Sequence, residues 1–220
     1  MRNANWIRQL LILAIPAILY GCGTPKPLMY KELYSTAYLR SDTNGASMTM
    51  PYSYSSQTNL RIYDKIIVDN VTIYRGPDNQ FGKMSEDDKT ELATYMYSQF
   101  VEKLASRFTI TYSPGSNTLI LKLILTGAAT TTPVLGTLSR FDLSGGLYNG
   151  IQSIRGGEGT FTGSVLYAVE IYDAATSQLL RAYIAKEYPN SLNIGASFGA
   201  LAAARTGIEK GAEKLVEQLQ

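Results

Sequence analysis

The 220-residue sequence contains no histidine. The commonest general base and the commonest metal ligand are therefore both missing. It contains one cysteine, Cys22, so a disulfide within the chain and a zinc site built from Cys and His are excluded. Neither sign of charge is in excess: 20 Lys and Arg stand against 18 Asp and Glu. Arg2 and Arg8 lie among the first 21 residues, so the rest of the chain is neutral. A neutral chain has little electrostatic attraction for nucleic acid, and no nucleic-acid partner is expected. No apolar run reaches the about 20 residues of a membrane helix. No histidine is present to complete the triad of a Gly-x-Ser-x-Gly nucleophile elbow. Gly157, Gly159 and Gly163 are not followed by a phosphate-binding lysine, and they precede a strand rather than a helix. Chemistry by carboxylates, Ser–Lys pairs or Tyr stays open in principle, but no such pair stands out. No catalytic residue, cofactor or metal ligand is assigned.

What is present begins with the leader. Residues 1–21 read as a bacterial export signal: Arg2 and Arg8 make a positive start, and Ile7 and residues 10–20 make a short apolar stretch interrupted by Pro16. The stretch ends Leu19-Tyr20-Gly21-Cys22, which resembles the lipobox of bacterial lipoproteins. The resemblance implies cleavage before Cys22, with Leu19 and Gly21 read by the protease, and acylation of the Cys22 thiol and amine. A thiol is the side chain nucleophilic enough for the thioether link. More than one acyl chain gives stable anchoring. Gly23 follows the cysteine, where the usual inner-membrane retention signal is Asp, so the outer membrane is expected, with the domain facing the periplasm.

Residues 22–60, rich in Ser, Thr, Asn, Tyr and Pro, read as the lipidated N-terminus and a tether of about 20 residues or more. Tyr30, Tyr34, Tyr38, Tyr52 and Tyr54 are expected to pack on the domain, with a partner or glycan as the other use. Residues 61–220 read as one domain. Its first strand is expected at 65–74, rich in Ile and Val. A helix is expected over 86–107: Ser85 is a good N-cap, Glu86, Asp87 and Asp88 suit the first turn, and Leu92, Met96, Phe100 and Leu104 share one face. The acidic triplet is better explained by capping than as a metal site.

Residues 108–112 and 118–126 are expected to pair as a hairpin across Pro114-Gly115-Ser116-Asn117. Leu119, Leu121, Leu123 and Leu125 alternate with Ile120 and Ile124, which suits a central strand covered on both faces. A second hairpin is expected over 161–172 and 179–188. A last helix is expected over 199–219, whose Gly207 and Gly211 permit close approach to the sheet. The expected fold is α+β: two helices on a mainly antiparallel sheet of about five strands, in the order β-α-β-β-β-β-α.

Several blocks carry a resemblance. They are the run Tyr63-Asp64-Lys65-Ile66-Ile67-Val68-Asp69-Asn70-Val71, the helix start Ser85-Glu86-Asp87, the strand 119–126, Pro133-Val134-Leu135, and Gly163-Ser164 leading to the hairpin with Leu179-Leu180. Together they resemble the bacterial lipoproteins of domain-of-unknown-function family 3313, from about Tyr34 to Leu219. The resemblance implies a location in the cell envelope and a fold. It transfers no catalytic residue.

The connection 127–160 is unusually long, Gly-rich and apolar. Leu135, Leu138, Phe141, Leu143, Leu147, Tyr148 and Ile151 are candidate interaction residues. They are expected to bury against the domain itself, a protein or second copy, or the membrane. Three functions follow as expectations. The first is an outer-membrane lipoprotein acting as a non-enzymatic binding or assembly module, held to the membrane through Cys22 and meeting an envelope protein or its own copies. The second is a ring-forming component of a secretion or export channel. The third, an envelope hydrolase, is disfavoured because no base–nucleophile pair can be named.

Overall fold

In the computed structural model of the chain, residues 26–41, 49–130, 163–190 and 199–220 are described. Eight strands form one mixed sheet: β1 (Arg40–Ser41), β2 (Tyr52–Ser55), β3 (Lys65–Val68), β4 (Thr72–Ile73), β5 (Thr109–Ile110), β6 (Thr118–Ala129), β7 (Ser164–Asp173) and β8 (Leu179–Glu187). The α-helices among the described residues are α1 (Glu86–Leu104) and α2 (Ala202–Gln218). The spatial order is β1-β2-β8-β7-β6-β3-β5, with β4 pairing further along β6.

The α+β class holds, but the expected sheet of about five mainly antiparallel strands does not. β3 and β4 run parallel to β6, and β5 runs parallel to β3. The expected hairpin of residues 108–112 with 118–126 is also corrected. β3 lies between the two, pairing Lys65 with both Thr109 and Thr118. The physical reason is the length of apolar strand available. β5 is two residues long, whereas Ile66 and Val68 of β3 are both buried and extend the ladder on β6 over four residues. Helix α1 supplies the crossover that parallel neighbours require. Asp69 and Asn70, poor strand formers, separate β3 from β4.

Strand β6 is central. β7 pairs with it antiparallel over ten residue pairs, and β8 extends the hairpin as expected. Leu119, Leu121, Leu123 and Leu125 face the helices and are at most 1 % exposed. Against them pack Leu92, Met96, Phe100 and Leu104 of α1, all fully buried. Each such side chain contributes about 1.5–3 kcal/mol of transfer free energy. Ser85 caps α1, its Oγ accepting from the Asp88 N–H at 3.1 Å. Helix α2 reaches the sheet through Gly207 and Gly211. A Cβ on Gly207 would stand 2.9 Å from the Glu187 carbonyl oxygen, and one on Gly211 would overlap the Tyr167 hydroxyl.

The opposite face of the sheet carries a second apolar cluster. Ile124, Ala168, Tyr172, Ala182 and Ile184 of the sheet meet Tyr30, Leu33 and Leu39 of the N-terminal segment. The segment expected as a tether therefore contributes to the domain. Its residues 26–41 cover this face, and β1 and β2 extend the sheet beyond β8. The clamp is Gln80. Its Oε1 accepts from Tyr30 Oη at 2.6 Å, and its Nε2 donates to the Lys26 carbonyl at 3.0 Å. Gln80 lies this close to β6 because its neighbour is Gly127: a Cβ there would stand 2.7 Å from the Gln80 carbonyl oxygen.

Candidate functional site

The lipidation and cleavage residues Leu19, Gly21 and Cys22 lie outside the described residues. So do Leu135, Leu138, Phe141, Leu143, Leu147, Tyr148 and Ile151. The candidate features that remain belong to the described domain.

The first is a cleft of about 320 Å³ on the sheet face opposite the helices. The break between β3 and β4 opens one wall with Asp69, Asn70 and Thr72, the N-terminal segment supplies Glu32 and Tyr34, and the floor carries Lys122 and Glu170. Lys122 of β6 and Glu170 of β7 are directly opposite in register. Glu170 is 4 % exposed. A buried carboxylate needs compensation, and both oxygens have it. Oε1 accepts from the Ser35 N–H at 2.9 Å, and Oε2 accepts from Tyr172 Oη at 2.6 Å. Burial and that hydrogen bond push the Tyr172 phenol well above its ordinary range. The Lys122 ammonium lies 5.1 Å from the Tyr172 ring centroid, in cation–π range.

From Tyr34 at the cleft a row of exposed and half-buried tyrosines runs across the surface. Tyr34 lies 6.1 Å from Tyr172 and 5.7 Å from Tyr38, which in turn lies 5.4 Å from Tyr54. Tyr34 is 62 % exposed, whereas Tyr30 is fully buried. The tyrosines of the segment thus divide between packing on the domain and facing outward. Such a surface offers flat aromatic faces, one ammonium group and carboxylates. It can hold a polar ligand or partner by stacking and hydrogen bonds. Both oxygens of its buried carboxylate, Glu170, are committed to structural donors.

The second feature is Glu187 at the end of β8, 2 % exposed. Its Oε1 accepts from Lys214 Nζ at 2.5 Å, and its Oε2 stands 3.7 Å from Lys210 Nζ. This arrangement ties α2 to the end of β8 through a buried carboxylate, and removing Lys214 would leave its charge poorly compensated. Among the described residues no group of three His, Cys, Asp or Glu side chains could hold a metal ion.

Lys122 and Glu170 were not singled out from the sequence. A signal was there: each is a lone charge within an otherwise apolar strand, Leu121-Lys122-Leu123 and Val169-Glu170-Ile171. A charge at such a position needs a partner inside the fold or an opening to solvent, and here the cleft supplies the opening.

Among solved structures, the chain is similar to PelC of Paraburkholderia phytofirmans, described as a dodecamer. A PelC variant matches with 13 % identity and a TM-score of 0.39, covering 74 % of this chain and 93 % of that one. A second PelC dodecamer structure matches with 14 % identity and a TM-score of 0.39, covering 72 % and 93 %. No curated protein sequence matches the chain. The model of one family, described as protein of unknown function (DUF3313), matches residues 29–215, and the chain belongs to that family.

Proposed function

We propose that the protein is a lipoprotein of the bacterial outer membrane, facing the periplasm, that works as a non-enzymatic binding or assembly module. The observation that carries the reading is Cys22. The only thiol of the chain stands directly after an export-signal-like segment, in the setting Leu19-Tyr20-Gly21-Cys22. Support for a binding role comes from the cleft at Tyr34, from which the row of Tyr38 and Tyr54 continues, and where the buried Glu170 serves two structural donors instead of a reaction.

The test is metabolic labelling with a palmitate analogue in the native host, followed by separation of inner and outer membranes. The wild-type chain is expected to carry label and to sediment with the outer membrane. Cys22→Ser is expected to lose both. An unlabelled wild type, or a Cys22→Ser chain that stays in the outer membrane, would overturn the anchor. For the binding role, photocrosslinkers at Tyr34 and Tyr38 are expected to trap an envelope partner or a second copy in intact cells. Turnover of a cell-wall or ester substrate by the purified domain, abolished by a point change in the cleft, would overturn the non-enzymatic reading.

A further inference from the structure

The acylated cysteine and the docked N-terminal segment are close in sequence. Only residues 23–25 separate Cys22 from Lys26, whose carbonyl is held by Gln80 Nε2 at 3.0 Å. From Lys26 onward the chain follows the domain surface. Pro27 and Tyr30 are buried, and the Lys31 N–H donates to Asp78 Oδ2 at 3.1 Å. Even fully extended, the chain from Cys22 to Lys26 spans roughly 14 Å at most. That is too short for a domain standing clear of the bilayer. Whatever the surface around Lys26 carries must lie at the headgroups.

That surface is suited to an interface. Leu28 is 42 % exposed and Met29 is 36 % exposed, two of the few large apolar side chains that the described residues leave open to solvent. Exposed Lys26 and Lys31 flank them. Apolar side chains bordered by lysines are the pattern of groups that settle at the boundary of headgroups and acyl chains. We infer that Leu28 and Met29, with Lys26 and Lys31 beside them, rest against the bilayer that holds the Cys22 acyl chains. The domain is then fixed in orientation on the membrane instead of swinging on a tether. The inference depends on the lipid anchor proposed above.

The test uses tryptophan fluorescence. The one tryptophan of the sequence, Trp6, lies in the leader, so the processed chain has none and a single introduced tryptophan reports alone. Leu28→Trp and, as a distant control, Tyr112→Trp would each be purified in lipidated form. Both would be reconstituted in phosphatidylethanolamine–phosphatidylglycerol vesicles, with and without brominated phospholipid. Tyr112 is 83 % exposed and follows β5, beside the β3–β6 pairing at Leu119. Gln80 pairs at Gly127, about 26 Å further along β6.

The Leu28→Trp emission is expected to shift to the blue and to lose most of its intensity in brominated vesicles, while Tyr112→Trp keeps its own. A flexible Gly-Ser insertion of about 20 residues after Gly23 is expected to leave vesicle flotation intact and to release most of the quenching. If the lipidated chain floats with vesicles and both tryptophans are equally unquenched, the docking inference is wrong and the anchor stands. If Leu28→Trp stays quenched with the long insertion, the surface binds lipid by itself and the short-tether argument is wrong. If the chain does not float at all, the anchor fails and the inference fails with it.

Discussion

Replacing Gly211 by alanine sets two effects of similar size against each other. Alanine is the better helix former by about 1 kcal/mol, so an α2 that stood clear of the sheet would gain stability. In this fold the added methyl would overlap the Tyr167 hydroxyl and lie 3.0 Å from Tyr167 Cζ. Tyr167 is 1 % exposed and cannot turn into solvent. Its ring already stands edge-on to Phe100, with centroids 6.0 Å apart. Overpacking a core typically costs about 1–3 kcal/mol, and a hydroxyl overlap belongs at the upper end. The net expectation is a loss of about 1–2 kcal/mol, or about 2–8 °C in Tm for a domain of this size. Urea titration and thermal melting followed by circular dichroism would measure it on the purified chain. Tyr167→Phe removes the overlapping oxygen, so the double variant should lose less than the sum of the two single losses, with a coupling of about 1 kcal/mol. Gly207→Ala is expected to be equally harmful but not rescuable by a side-chain change, since its methyl meets the Glu187 backbone carbonyl at 2.9 Å. A Gly211→Ala chain as stable as the wild type, or more so, would refute the close contact of helix and sheet.

Three further expectations concern the domain. Tyr30→Ala should destabilise it by about 3–5 kcal/mol in urea titration, because the ring is fully buried; a loss near zero would mean that the N-terminal segment is a free tether after all. In acid, Asp173 and Asp78 are held below the usual carboxylate range, chiefly by hydrogen bonds from Tyr63 and Tyr74 respectively. Folded values lower than unfolded ones mean stability that is present above about pH 4 and lost as pH falls through the folded values. Asp173→Asn should flatten that fall in a pH series of urea midpoints, and an unchanged slope would count against it. In alkali the sign reverses: burial pushes Tyr30, Tyr63, Tyr74 and Tyr95 up to about 12. Their contribution is complete below the unfolded value of about 10 and is lost as pH rises from there towards 12. The urea midpoint should therefore drop between about pH 10 and 12, and a flat profile would contradict buried phenols.

The parts of the fold legible in the sequence are those governed by neighbours along the chain. Leu92, Met96, Phe100 and Leu104 mark one face of α1 by spacing alone, and Ser85 with Asp88 marks its start. The Leu119 to Leu125 alternation marks a strand covered on both sides. Gly207 and Gly211 mark a helix face that must come close to something. Strands β1 and β2 were not legible, because β1 is two residues long, Ser and Tyr alternate in β2 without an aliphatic pattern, and pairing of β2 with β8 and of β1 with β2 is what makes them strands. The cleft was not legible either. Lys122 and Glu170 are 48 positions apart in the sequence, and only the register of β6 on β7 sets them opposite one another.

The sequence by itself determined the helices, the Ser85 cap of the first, the central alternating strand and the lone Cys22 behind a leader-like segment, since each depends on spacing within a few residues. The tertiary structure alone decided that β3 enters between β5 and β6 in parallel. It alone decided that residues 26–41 close the second face of the sheet. Both depend on which distant apolar surfaces exclude water together, and a linear pattern shows that a face must be covered without showing what covers it.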